Sequence, residues 1–144
     1  YGTFLCKLER YQEAEQAFLT AIEQARYTAV ANTYENAAVC AEKAGNNDKA
    51  LFYYEYALSH SPNKSYINLS LAKLNINLEQ YDKARLNLFK YQKDSATSAE
   101  SLWQWIRLSY ATGKGASLSK YAGQLLEEFP DSQRALDYLN HEYY

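Results

Sequence analysis

The stretch NNDKALFYYEYAL, residues 46–58, decides the fold because three similar stretches recur along the chain. They are RYQEAEQAFLTAI (10–22), QYDKARLNLFKY (80–91) and KGASLSKYAGQLL (114–126). In the alignment of all four, a small or apolar residue occupies the same place, at Ala14, Ala50, Ala84 and Leu118, with intervals of 36, 34 and 34 residues. A period in this range indicates a repeat architecture in which each unit packs on its neighbours.

Each stretch also has the periodicity of an amphipathic helix. Apolar or small side chains recur four and seven positions after these aligned residues, and both spacings lie on one helix face. The residues at the fourth position are Phe18, Tyr54, Leu88 and Ala122, and those at the seventh are Ala21, Ala57, Tyr91 and Leu125. We therefore expect each of the four helices to bury this face.

The repeat resembles the tetratricopeptide repeat, a 34-residue helix-turn-helix unit with the pattern W-x2-L-G-x2-Y, then A-x3-F, then P. In the second unit, Ala50, Tyr54 and Pro62 match the second half of that pattern. In the fourth unit, Leu118 and Ala122 replace the small and the aromatic residue, which is consistent with a volume-conserving size swap. The resemblance implies an all-α tetratricopeptide repeat superhelix of about four helix-turn-helix units plus a C-terminal capping helix, in a single domain of residues 1–144.

Helix boundaries follow from the same frame. Gly45 and Gly113 are expected to end first helices, and Thr97 with Glu100 is typical of a capping box. Helices are predicted near residues 1–8, 11–24, 29–44, 47–60, 64–78, 81–93, 98–112, 115–128 and 132–142. Residue 1 falls midway through a first helix, so the first repeat is predicted to be truncated at its N-terminus, with any targeting signal upstream.

Composition and isolated residue types argue against several functions. The net charge of −2 and the pI near 5.7 do not fit the dense basic face that nucleic-acid binding requires. The two histidines, His60 and His141, have no partners at metal-ligand spacing, so we expect neither a metal nor a cofactor. No phosphate-binding loop or paired catalytic carboxylates can be recognised, and an enzyme is not expected.

Three stretches carry a narrower resemblance. YGTFLC followed by RYQEAEQAF, SAESLWQWIRLSYATG (98–113) and SKYAGQLLEEFPDSQ (119–133) are similar to the type IV pilus biogenesis/stability proteins of the PilF/PilW pilotin family. The resemblance implies a periplasmic module, lipid-anchored to the outer membrane through a cysteine outside this chain. It also implies that the partner is a secretin subunit or another pilus-assembly protein. The alternative is a generic tetratricopeptide scaffold in another multiprotein assembly.

The two cysteines lie on the first helices of adjacent units. Cys6 and Cys40 are 34 residues apart, whereas the aligned Ala14 and Ala50 of the same units are 36 apart. This offset of two residues rotates one side chain by about 200°, so the two face each other with Cα atoms roughly 5–6 Å apart. That distance suits a disulfide. Buried, reduced thiols are the alternative, and the compartment implied by the family resemblance favours the disulfide.

First helices line the concave face of a tetratricopeptide superhelix, which is the usual binding surface. In the repeat frame, the residues predicted on this partner-binding concave face are Glu35, Val39, Tyr66, Leu69, Lys73, Ile76, Trp103, Arg107 and Tyr110. Trp, Tyr and Arg are the residue types that dominate binding hot spots, and an apolar or extended peptide is the expected ligand. For Trp103 an alternative stays open, namely that it packs beneath the C-terminal helix.

Overall fold

The structure, a computed structural model, describes residues 1–24 and 27–141. Within these ranges the chain forms helices and no strand. The helices are α1 (Gly2–Lys7), α2 (Tyr11–Gln24), α3 (Tyr27–Lys43), α4 (Asn47–His60), α5 (Ile67–Asn77), α6 (Tyr81–Asp94), α7 (Ala99–Ala111), α8 (Gly115–Glu128) and α9 (Gln133–Asn140). The predicted helical repeat is therefore confirmed, with most boundaries within two residues of those expected.

Two boundary details differ from the prediction. Helix α5 begins at Ile67 instead of residue 64, because backbone turns occupy the residues after Pro62, with Lys64 N–H bonded to the Ser61 carbonyl. Tyr66 therefore precedes the helix. The N-cap of α7 is Ser98, whose Oγ accepts from the Ser101 backbone N–H while its own backbone N–H donates to Ser101 Oγ, which forms a capping box. The predicted box of Thr97 and Glu100 is wrong, since Ser98 adopts the extended conformation that a cap needs.

Two positions after the last residue of each first helix, the backbone adopts the left-handed conformation. Gly45 and Gly113 have φ of +80° and +69°, as the sequence predicts. Glu9 and Glu79 occupy the same repeat position, five residues before Ala14 and Ala84, and both have φ of +60°. The repeat thus imposes the same backbone geometry at this position on glycine, which adopts a positive φ without steric cost, and on glutamate, which does not.

The chain divides into two compact units, which are described separately, while the single-domain organisation stays a prediction. Unit 1 is Tyr1–Ile67, and its core is built where α3 packs on α2 and α4, with α1 alongside. Its central positions are small, and Ala14, Ala38 and Ala50 have no exposed surface. Gly2 likewise allows α1 to approach α2 closely, because a Cβ there would lie 2.7 Å from Cε1 of Phe18.

One predicted core residue of unit 1 is not buried. Ala21 is exposed, whereas its repeat equivalents Ala57, Tyr91 and Leu125 are buried. It lines an open groove of about 760 Å³, together with residues that include Leu5 and Phe18. No described helix covers this groove, so the face of α2 that the period marks as apolar is only partly covered within the described residues.

Unit 2 is Asn68–Tyr144, and two apolar clusters form its core. One joins α7, α8 and α9 and includes Ile106, Leu118, Ala122 and Tyr138. Leu118 and Ala122 are 7% and 3% exposed, which supports the interpretation of these two substitutions as a size swap within the core. Helix α9 packs on α7 and α8, so the prediction of a C-terminal capping helix is confirmed.

Candidate partner-binding surfaces

In unit 1, two of the predicted binding residues belong to a closed polar network. The hydroxyl of Tyr66 donates to both carboxylate oxygens of Glu35, at 2.8 and 3.0 Å. Lys64 Nζ lies 3.1 Å from Glu35 Oε1 and also donates to the amide oxygen of Asn32. Burial and the hydrogen bond to Glu35 raise the pKa of Tyr66. The network therefore fixes the turn before α5 against α3, and it leaves the Tyr66 ring 48% exposed.

The other predicted residue of unit 1, Val39, presents an apolar surface. Its side chain on α3 is 39% exposed. One residue further along α3, and therefore about 100° around the helix, Cys40 is buried. Val39 and the Tyr66 ring are thus the accessible apolar groups among the predicted positions of this unit.

In unit 2, the predicted positions on α5 and α7 present a mixed surface of cations and apolar groups. Lys73 and Tyr110 are exposed, the latter by 57%, while Leu69 and Arg107 are half-buried. The guanidinium of Arg107 donates to Gln104 Oε1 at 2.7 Å and to the side-chain oxygen of Asn77. Gln104 is buried, so these two hydrogen bonds hold the half-buried guanidinium of Arg107 in place.

Two predicted binding residues are buried, which corrects the sequence-based assignment. Ile76 is 6% exposed and packs in the cluster that contains Trp105 and Leu108. Trp103 is 5% exposed and lies in the cluster with Ala135 and Tyr138 of α9. The guanidinium of Arg134 covers the Trp103 ring at 5.1 Å from its centroid. The alternative interpretation of Trp103 is therefore correct, because α9 takes the space that a partner would need.

The structure brings the two cysteines together. The Cα atoms of Cys6 and Cys40 lie 5.8 Å apart, within the predicted interval of roughly 5–6 Å, and both side chains are buried. The sulfur atoms face each other between α1 and α3 in disulfide geometry. The bond in the isolated protein stays a prediction that a mass measurement checks.

Sequence reasoning missed an ion-pair triad that connects α2 and α4. Glu15 Oε1 lies 2.9 Å from Lys49 Nζ, and Glu15 Oε2 accepts from the Tyr53 hydroxyl at 2.8 Å. Burial alone would raise the pKa of Glu15, but the hydrogen bonds from Lys49 and Tyr53 outweigh it and lower that pKa. Burial and Glu15 also raise the pKa of Tyr53. The sequence does contain an indication of this contact, since Glu15 and Lys49 have opposite charges and, being 34 residues apart, lie in neighbouring repeats.

Two tyrosines of unit 1 form a row of rings with a phenylalanine and a histidine. The ring of Tyr34 stacks on Tyr56 and on His60, with centroids 5.2 and 5.7 Å away, and Phe52 meets Tyr56 edge-on at 4.5 Å. Phe52 and Tyr56 are 52% and 41% exposed. These rings stabilise the contact between α3 and α4 while leaving apolar surface accessible.

Two kinds of feature, a cluster of metal ligands and a membrane-spanning helix, are not found in the described part of the chain. No group of three or more His, Cys, Asp or Glu residues within it could hold a metal ion. None of its helices has the length and apolar character needed to cross a membrane. What the structure does present is exposed apolar and cationic side chains on rigid helices, which is an arrangement suited to binding another protein.

Comparison with known proteins places this arrangement in context. Two family models, both described as tetratricopeptide repeat, match residues 1–63 and 41–100. The type IV pilus assembly protein PilF of Pseudomonas aeruginosa is 27% identical over 132 residues, which cover 92% of this chain and 52% of that protein. This chain thus spans about half the length of that curated relative.

Solved structures of type IV pilus proteins are also similar to this chain. One from a study of Pseudomonas aeruginosa PilF superposes with a TM-score of 0.78 at 26% identity, over 96% of this chain and 63% of that one. A crystal structure of PilW, described as a widely conserved type IV pilus biogenesis factor, superposes with a TM-score of 0.86 at 26% identity, over 97% of this chain and 64% of that one.

Proposed function

Because the chain belongs to the tetratricopeptide repeat family and is homologous to the type IV pilus proteins PilF and PilW, we propose that it is a non-catalytic interaction module of type IV pilus biogenesis. Its partner in this proposal is a secretin subunit or another pilus-assembly protein. The supporting observation is that the similarity to PilF extends over 92% of the chain and therefore over both compact units.

The proposed location is the periplasmic side of the bacterial outer membrane. In this proposal the module is held there as a lipoprotein, or pilotin, through an anchoring cysteine outside the 144 residues. The Cys6–Cys40 disulfide belongs to the same proposal, because an oxidising compartment preserves such a bond. Its support is the Cα separation of 5.8 Å together with the burial of both side chains.

The proposed binding surfaces, one in each unit, consist of the accessible members of the predicted set. In unit 2 these are Tyr110, Lys73, Leu69 and Arg107, which combine an exposed ring with two cations. In unit 1 they are Val39 and the ring of Tyr66, beside the carboxylate of Glu35. A partner segment with apolar side chains that can pack on the Tyr110 ring and Leu69 suits the unit 2 surface best.

A pull-down from the membrane fraction of a piliated bacterium tests both parts of this proposal. We expect the wild-type chain to recover a secretin subunit or another pilus-assembly protein, identified by mass spectrometry, and Tyr110→Ala to recover much less. Leu86→Ala is the matched control, because Leu86 is exposed to a similar extent (54% against 57%) but lies on α6. If no pilus protein is recovered, the generic scaffold function is favoured. Equal recovery by Tyr110→Ala would show that the surface is assigned wrongly.

A further inference from the structure

A small cavity lies between α6, α7 and α8 within unit 2, away from the positions assigned above. Its volume is about 90 Å³, which is the size of one side chain. Trp105 and Tyr121 form an aromatic wall, and their rings stack with centroids 5.0 Å apart. Gln92, Thr97 and Gln124 add neutral polar groups to the rim.

The charge of this cavity is unbalanced. Lys120 is its one charged lining residue, and its ammonium group lies 5.4 Å from the centroid of the Tyr121 ring. No carboxylate of the described residues forms an ion pair with Lys120, and none lines the cavity. Gln124, which lines the cavity, donates from Nε2 to Glu128 Oε2 at 3.2 Å. A cation beside a partly buried aromatic wall attracts an anion more strongly than one in open water.

Unit 1 shows how a tyrosine at the repeat position of Tyr121 is satisfied. There Tyr53 donates to the carboxylate of Glu15, which also pairs with Lys49. The residue of α6 in the position of Glu15 is Arg85, which is bound to Asp82 and does not line the cavity. Unit 2 therefore has the tyrosine without this carboxylate, and its cavity lysine, Lys120, stands at a different repeat position from Lys49, which aligns with Ser117. Within the described residues, no hydrogen bond engages the Tyr121 hydroxyl.

We infer that this cavity is a second binding site, which accepts the carboxylate side chain of an aspartate or glutamate from a protein partner. Lys120 neutralises the charge, Tyr121 and the rim amides supply hydrogen-bond donors, and Trp105 packs on the methylene groups. The identity of the partner rests on the proposed interaction function, but the chemistry of the site does not. The experiment below therefore uses no pilus protein, and its outcome is independent of the pull-down.

The probe is N-acetyl-glutamate N-methylamide, titrated into the full chain at constant ionic strength and followed by nuclear magnetic resonance of the indole N–H groups. The uncharged glutamine analogue is the control ligand. We expect the glutamate probe to shift the Trp105 signal and to leave that of Trp103, which lies beneath α9 and does not line the cavity. Because a single contact binds weakly, saturation is expected only at millimolar concentrations.

Two variants decide whether Lys120 is responsible. Lys120→Gln should weaken binding of the glutamate probe at least fivefold. Lys83→Gln, which removes the same charge from an exposed position of unit 2 outside the cavity, should leave it unchanged. The inference is overturned if the two probes shift Trp105 equally, if neither shifts it, or if Lys120→Gln binds the glutamate probe as well as Lys83→Gln does.

Discussion

Replacing Glu79 by glycine should make the protein more stable, although it removes a side chain. Glu79 lies two residues after the end of α5 with φ of +60°, in a repeat position where Gly45 and Gly113 have φ of +80° and +69°. A residue with a Cβ loses roughly 1–2 kcal/mol in this conformation. Glycine avoids that loss, but it costs roughly 0.5–1 kcal/mol because it increases the conformational entropy of the unfolded state. We therefore expect Glu79→Gly to raise the free energy of unfolding by about 0.5–1 kcal/mol.

The matched control is Glu79→Ala, which removes the same carboxylate but keeps the Cβ. Loss of a negative charge at a helix C-terminus gains only a few tenths of a kcal/mol, about 0.3 at low salt. Urea unfolding followed by circular dichroism separates the two variants if they are measured side by side. Gly113→Ala is the converse test, since a Cβ there meets no atom within 4 Å and its cost of roughly 1 kcal/mol comes from the backbone alone. Glu79→Gly no more stable than Glu79→Ala would refute the reasoning.

Three further outcomes follow from the structure of unit 1. Gly2→Ala should cost about 1–3 kcal/mol in thermal or urea unfolding, because its Cβ would lie 2.7 Å from the Phe18 ring; unchanged stability would contradict that contact. Cys6→Ser should cost about 3–4 kcal/mol under oxidising conditions and much less in reductant, and the intact mass of wild type should rise by two hydrogens on reduction. Tyr53→Phe should cost about 1 kcal/mol at pH 7 by urea unfolding. Because the folded pKa of Glu15 is lowered, that cost should be lost as the pH falls through it, and a pH-independent cost would refute the assignment.

The repeat period predicted the parts of the fold that depend on position alone. Small residues such as Ala14 and Ala50 set how closely helices approach, and glycines such as Gly45 mark where first helices turn, so boundaries could be placed from the sequence. The same period located the two cysteines, because the angle between residues on a helix is fixed by geometry. The start of α5 could not be placed in this way, since local turns around Pro62 decide it.

The binding surface was less predictable, because exposure depends on contacts that the period does not encode. Trp103 and Tyr110 both have a place on the predicted face of α7, yet one is buried and the other exposed. The difference is made by α9, whose approach depends on Ala135 and Tyr138 and not on any repeat position. Ile76 is buried for a similar reason, since Trp105 packs beside it. A helical frame therefore identifies which residues point the same way, and the neighbouring elements decide which of them a partner can reach.

The side-chain contacts between adjacent repeats show where such a chain can acquire specificity for a binding partner. The small residues and the left-handed helix ends are nearly fixed across the repeats, because each change there costs stability directly. The side chains around Tyr53 and Tyr121 are not fixed in this way. In unit 1 the carboxylate of Glu15 satisfies a tyrosine and a lysine within the chain, whereas Arg85 stands at the corresponding position in unit 2. A tyrosine hydroxyl that a carboxylate binds inside one repeat and that no side chain of the described residues binds in another needs no change of backbone, so the proposed selection of a partner's carboxylate would leave the fold undisturbed.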